Sequence, residues 1–325
     1  MGLGFGITFG QLYECLFPFV GVVVVDSVDD SRFYIVGSQL KSFMNVRSRS
    51  VDVLGDKVDY LERGQGIPVV FLHGFSCNKS NWRGVMHRFP SDRYRLIAPD
   101  LPGFCLAKLD PGRNYSGKYY LDWMNEFMDA LAIDQCHLLA HSTSTLIAMY
   151  YAPLNNDRLL SLTLANMPDT LLPAAKDDGG IVEEFFESLK VNSGDEWYQM
   201  VSALFYRPPS IPRFLREYNH KVFDQKLRLA DNFFDACLRI RPQLISKSKL
   251  IDCPVLLITS DHDVYAPGDF AKRMDSNFKA MSTLELKQCG HMSYLEKQTD
   301  FVNGLVSSLD AISPCAVNSP LCLEE

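Results

Sequence analysis

The chain has 325 residues, enough for one large α/β domain with an insertion or for two ordinary domains. Its residues are 47% apolar and 22% charged, as in a globular protein with a full core, and its net charge of −7 argues against nucleic acid, which would want a basic face. The nine cysteines are scattered, odd in number and without a C-x-x-C pair, which argues against a metal site or disulfide framework and for a reducing compartment.

Residues 1–25 form a strongly apolar run, interrupted by Glu14 and Pro18, with no Lys or Arg before Arg32. A secretory signal would carry positive charge ahead of its apolar core. Three readings stay open. The run is a membrane anchor with the basic flank Arg32 to Arg49 on the cytoplasmic side, or an apolar arm lying on the protein or in a membrane interface, or a buried leading segment in which Val22 to Val25 make a strand. Membrane contact through this run places the rest of the chain in the cytoplasm; the buried alternative makes a soluble cytoplasmic protein.

From Arg49 the pattern takes a period of two. Val51 to Leu54, a Gly55-Asp56 turn and Lys57 to Leu61 read as a β-hairpin. Pro68 to Leu72 is a short apolar strand of the kind buried in a parallel sheet. It runs into His73-Gly74-Phe75-Ser76. Arg95 to Pro99 is the next buried strand, ending at Asp100-Leu101-Pro102-Gly103-Phe104. Tyr119 to Ala132 has helical spacing. His137 to Leu139 reads as another strand and Leu146 to Tyr150 as the first turns of a helix. Leu160 to Ala165 is a strand. From about Pro168 to Lys247 the chain turns helical and aromatic. Pro254 to Thr259 is a strand, Phe270 to Met274 a helix, Ser282 to Leu286 a last strand and Phe301 to Leu309 a closing helix. Strands and helices alternate on both sides of an insertion, which predicts a mostly parallel sheet with helices on both faces. The expected divisions are an apolar segment with its flank (1–48), a core in two parts (49–167 and 248–311), a helical cap (168–247) and a tail (312–325).

Between the strand at His137 and the helix at Leu146 sits Ala140-His141-Ser142-Thr143-Ser144, a small-x-Ser-x-small form of the G-x-S-x-G nucleophile elbow. So sharp a strand-to-helix turn needs small residues two before and two after the serine, which Ala and Ser supply less freely than Gly. The same residues also read as a Ser/Thr-rich helix cap.

With HGFS at His73, DLPGF at Asp100, AHSTS at Ala140, and SDHDVYAP and CGHMSYLE near the end, the chain resembles the α/β-hydrolase fold family from about Arg49 to Leu309. HGFSCNKSNW is similar to its lipase and monoacylglycerol-lipase branch. Departures are Ala140 and Ser144 at the elbow glycines, and Cys105 where a glycine commonly follows DxPGF.

The resemblance implies a triad in the order Ser142, Asp263, His291. A serine hydroxyl needs a base to take its proton, and the base needs a carboxylate on its far nitrogen. His291, just past the last strand, is favoured over His262, which sits between two aspartates. Asp263 is favoured over Asp261, a turn-capping or solvated acid. His137 reads as a strand residue and His141 as packing. The oxyanion donors implied are the backbone N–H groups of Phe75 and Thr143. Trp82 and Asp100 read as scaffold. The cap, with aromatics such as Phe185, Trp197, Phe205 and Phe223, would supply an apolar acyl pocket, with Pro208-Pro209 and Ile211-Pro212 as its hinge or linker. The expected activity is that of a serine esterase or lipase cleaving an ester or lipid with an apolar acyl group, with no metal or organic cofactor. A non-catalytic relative binding a ligand or partner, and a C–C or amide hydrolase or acyltransferase using the same triad, stand as alternatives.

Overall fold

The structure, a computed structural model, describes residues 45–103, 113–169, 172, 185, 187–228, 231–266 and 268–312. Eight strands form one sheet: β1 (Arg47–Val53), β2 (Asp56–Gly64), β3 (Ile67–Leu72), β4 (Tyr94–Pro99), β5 (Cys136–His141), β6 (Leu159–Ala165), β7 (Val255–Ser260) and β8 (Met281–Leu286). Their order across the sheet is β1-β2-β4-β3-β5-β6-β7-β8. β2 runs antiparallel to both β1 and β4, and every other neighbouring pair is parallel. The described helices are α1 (Arg83–Arg88), α2 (Gly117–Ala130), α3 (Ser144–Tyr151), α4 (Gly194–Ser202), α5 (Arg213–Arg228), α6 (Asp231–Ser248), α7 (Phe270–Asp275), α8 (Ser293–Glu296) and α9 (Gln298–Ile312). This is the α/β architecture expected of the alternating pattern, with α4 to α6 lying between β6 and β7.

The parallel strands are apolar because they are covered twice. In β3, Val70 and Leu72 join a core with Met124 of α2 and Ile147 of α3. Val69 and Phe71 point the other way, into a second core with Met86 of α1 and Phe301 of α9. β5 and β7 are buried at every position. β1 is exposed over its first four residues, as an outermost strand can be. In a parallel sheet all strand ends of one kind share an edge. The loops after β3, β5, β6 and β7, and the segment after β8, therefore gather at one rim.

One turn differs from the expected hairpin. β1 and β2 are joined at Leu54-Gly55, one residue earlier, and the ladder closes on the pair Val53 and Asp56. Both turn residues have positive φ, 51° and 80°, the twist-matched geometry of a two-residue hairpin. Leu54 holds a left-handed conformation there that its side chain disfavours, and that cost hides the turn from residue preferences. The apolar run 1–25, Phe104, Cys105, Phe186 and the tail lie outside the described residues. Among the described residues no helix is long and apolar enough to cross a membrane.

Candidate active site

Ser142 sits between β5 and α3 with φ 55°, a left-handed conformation that a serine adopts only under constraint. Hydrogen bonds hold it there. Its N–H donates to Ala165 O across the sheet end (3.0 Å), and its carbonyl accepts from Thr145 N–H (2.9 Å). The two departures from glycine are accommodated. Ala140 is fully buried without a polar group to satisfy. The Ser144 hydroxyl accepts from His141 N–H (3.1 Å) and lies 2.9 Å from His141 O and 3.1 Å from Leu72 O, one of which takes its proton. It ties the end of β3 to the elbow, which no glycine could do. Tightness falls instead on Gly74, where an added Cβ would come within 2.9 Å of Ser142 Cβ.

The expected partners converge on this serine. His291 Nε2 is 2.8 Å from Ser142 Oγ, and its Nδ1 is 2.9 Å and 3.0 Å from the two carboxylate oxygens of Asp263. Nδ1–H therefore donates to Asp263, and Nε2 is left to accept the serine proton. Asp263 also accepts from Asn166 Nδ2 (2.9 Å) and from the Tyr265 N–H (2.9 Å). Burial works against its charge, yet His291 and these donors hold the carboxyl below its ordinary value. The Tyr265 ring stands edge-on to His291 at 4.9 Å.

The competing residues fall elsewhere. His262 is exposed and pairs with Asp261, 2.8 Å away. Asp261 accepts from the Gln288 and Cys289 N–H groups, a turn-capping acid as read. His137 is buried in β5 beside Ser161 Oγ, and burial pushes its pKa down to about 4. His141 does more than pack. Its Nε2–H donates to His291 O (3.0 Å) and its ring lies 5.1 Å from the His291 ring. Burial and the neighbouring His291 push its pKa down to about 3, so it stays neutral and does not compete for the proton.

Residue-type reasoning missed Asn166, which follows β6 directly and is fully buried with φ 48°. Its amide donates to Asp263 and to Ser260 Oγ (3.0 Å), and its carbonyl accepts from Ser293 Oγ. An asparagine straight after an apolar strand, at the rim where the loops gather, was the available signal, since Asn tolerates left-handed backbone. Glu296 was also missed. Its carboxylate accepts from Tyr206 N–H (3.1 Å) and Arg207 N–H (2.6 Å), between α4 and α5, and from Gly290 N–H (2.8 Å) beside His291.

The loop after β3 is fixed by His73. Its Nε2 accepts from Leu101 N–H (3.0 Å), which leaves Nδ1–H to donate to Gly74 O (3.0 Å). Asp100 accepts from the Lys79 N–H and ammonium, and Trp82 lies buried against Phe71 and Tyr294. Both are scaffold. Phe75 N–H points at the elbow and donates to Thr143 Oγ1 (2.8 Å). Thr143 precedes the first turn of α3, where amides have no carbonyl a turn back to bond.

Ser142 and His291 open onto an apolar cavity of ≈ 60 Å³, roofed by Phe185, Leu189, Met200, Val201, Leu204 and Phe223 from between β6 and β7. A larger cleft of ≈ 710 Å³, lined by Arg47, Arg49, Glu62 and Arg95, sits at the opposite strand ends. Neither the elbow serine nor a histidine lines it, so size does not decide the site.

Comparison with known proteins agrees with this architecture. A family model described as alpha/beta hydrolase fold matches residues 67–298. Lipase 3 of Moraxella sp. strain TA144 is 24% identical over 306 residues, 88% of this chain and 91% of its own. Lipase 1 of Psychrobacter immobilis is 24% identical over 289 residues, covering 83% and 86%. The crystal structure of a membrane phospholipase A superposes with a TM-score of 0.71 at 21% identity, covering 87% of this chain and 91% of its own.

Proposed function

This chain belongs to the α/β-hydrolase fold family, and from that premise we propose that it hydrolyses a carboxylic ester with an apolar acyl group. The observation that carries the reading is the continuous relay from Asp263 through His291 to Ser142 at the mouth of an apolar cavity. Ser142 attacks the ester carbon while His291 takes its proton at Nε2. Asp263 holds the imidazole in the tautomer that leaves Nε2 open and steadies the imidazolium once formed. The carbonyl oxygen, now negative, is met by the Phe75 and Thr143 N–H groups. His291 returns the proton to the departing alcohol, leaving an acyl-enzyme. A water activated by the same imidazole then releases the acid and frees Ser142. The two lipases at 24% identity support an ester or lipid as substrate.

The helices between β6 and β7 act as the cap that shapes the acyl site. A cavity of ≈ 60 Å³ is small beside a long acyl chain, which would extend along the cap or displace it. The test is labelling with a fluorophosphonate probe and turnover of p-nitrophenyl esters of rising chain length. Wild type is labelled and active, and Ser142→Ala is neither. A well-folded wild type that resists the probe and cleaves no ester in the panel rules the reading out.

A further inference from the structure

We propose that the Thr143 hydroxyl is a built-in occupant of the oxyanion hole, holding the Phe75 N–H in the empty site and yielding it to the acyl oxygen. The proposal rests on the hydrolase reading above. An oxyanion must lie about 3 Å from its donors. Thr143 Oγ1 already sits 2.8 Å from Phe75 N, and it belongs to the residue whose own N–H is the second donor. The oxygen of the protein and the oxygen of the substrate thus compete for one amide.

Three features give the hydroxyl this task. Thr143 stands at the N-cap position of α3, where a threonine side chain ordinarily bonds the helix, yet its hydroxyl makes no capping bond. It is 2% exposed, so the hydroxyl lies at the floor of the cavity beside the Phe75 amide and not out in bulk water. The amide itself is held by its loop, which His73 pins on one side and the Cys77 N–H to Gly74 O bond (3.2 Å) on the other. The moving part is therefore the threonine, whose hydroxyl has more than one usable χ1 position near a helix start.

The exchange separates ground state from transition state. A neutral ester carbonyl that displaces a neutral hydroxyl gains almost nothing. The oxyanion gains a charge-assisted bond, roughly twice as strong as the neutral one it replaces. The occupant thus cancels substrate binding at this amide and takes the same neutral-bond increment from the transition state, which keeps only the excess of its charge-assisted bond. Its removal should strengthen both complexes alike.

For p-nitrophenyl butyrate, Thr143→Val is expected to lower KM about fivefold, the equivalent of one neutral hydrogen bond, with the gain absent from kcat. Thr143→Ala should lower KM in the same way if the valine variant fails to fold. Thr143→Ser, which restores the hydroxyl, should reverse the fall. A KM within twofold of wild type in the folded valine or alanine variant overturns the proposal. So does a tenfold or larger loss of kcat, which would make the hydroxyl a donor to the transition state. Either result leaves the hydrolase reading standing, because that reading fails only if wild type itself neither turns over ester nor takes the fluorophosphonate.

Discussion

Asn166 joins three loops at the rim, and replacing it separates what its side chain does from what its backbone demands. Asn166→Gly removes the bonds to Asp263, Ser260 and Ser293 while tolerating φ 48°. A hydrogen bond to a charged group contributes about 1.5–3 kcal/mol, and each neutral one about 0.5–1.5 kcal/mol. The sum is an upper bound, because water or relaxation recovers part of it, and roughly 3 kcal/mol is expected. In a chain of this size that lowers Tm by about 4–5 °C. Asn166→Ala loses the same bonds and must also hold alanine in left-handed backbone, a further cost of about 1 kcal/mol. Urea unfolding followed by tryptophan fluorescence measures both differences. Turnover should fall about tenfold in each, since Asp263 keeps its bonds to His291 and the Tyr265 amide but loses a donor fixing its orientation. A glycine variant within about 0.5 kcal/mol of wild type would refute the network, because that is the scatter of an inconsequential surface change.

Gly74→Ala forces a Cβ toward Ser142 Cβ, and displacing the nucleophile should cut kcat 10- to 100-fold, as about 1 Å of misplacement does, while Tm changes little; unchanged kcat would count against the contact. Glu296→Ala leaves three N–H groups without their carboxylate and loosens residues 206–207 from the His291 loop, while the Met292 N–H to Leu204 O bond (3.2 Å) remains. Chymotrypsin should then cut after Tyr206 faster, with Glu296→Gln intermediate; an unaltered digestion pattern would remove Glu296 from this role. Burial pushes the thiols of Cys136 and Cys289 up to about 12 and that of Cys253 up to about 11, from an ordinary value of 9.0. Their raised values contribute stability that is complete below pH 9 and lost as pH climbs toward 11–12, because the unfolded chain sheds these protons first. The urea midpoint should fall over that window, less steeply in Cys136→Ala/Cys253→Ala, and an equal slope in the two proteins would contradict the assignment. Membrane contact through residues 1–25 is tested by fractionating a chain lacking them; an unchanged membrane share discards it.

The sheet was readable because its chemistry is uniform. Runs such as Pro68 to Leu72 and Pro254 to Thr259 have no polar face, and only a strand covered on both sides suits them. Ser142, Asp263 and His291 were readable because acyl transfer needs those side chains in that order along this fold. What escaped depends on backbone geometry and on pairings across long loops. The Leu54-Gly55 turn and Asn166 occupy left-handed conformations that are set by their neighbours. His141, read as filler, carries a bond to a carbonyl 150 positions away, which no local pattern could reveal. Ser144 had looked like a weakened glycine, yet its hydroxyl has a structural use that only the approach of β3 makes visible.

The antiparallel hairpin at one border of the sheet has a protective consequence. β2 covers the flank of β4, whose Leu96, Ile97 and Ala98 are wholly buried. Outside it, β1 turns Arg47 and Arg49 toward solvent, and at the far border Glu285 and Lys287 flank the end of β8. Charge along an outermost ladder discourages a second molecule from zipping onto it. A protein shorn of residues 45–64 would bare the greasy rail of β4 and self-associate into insoluble material, so this short ribbon keeps the molecules apart.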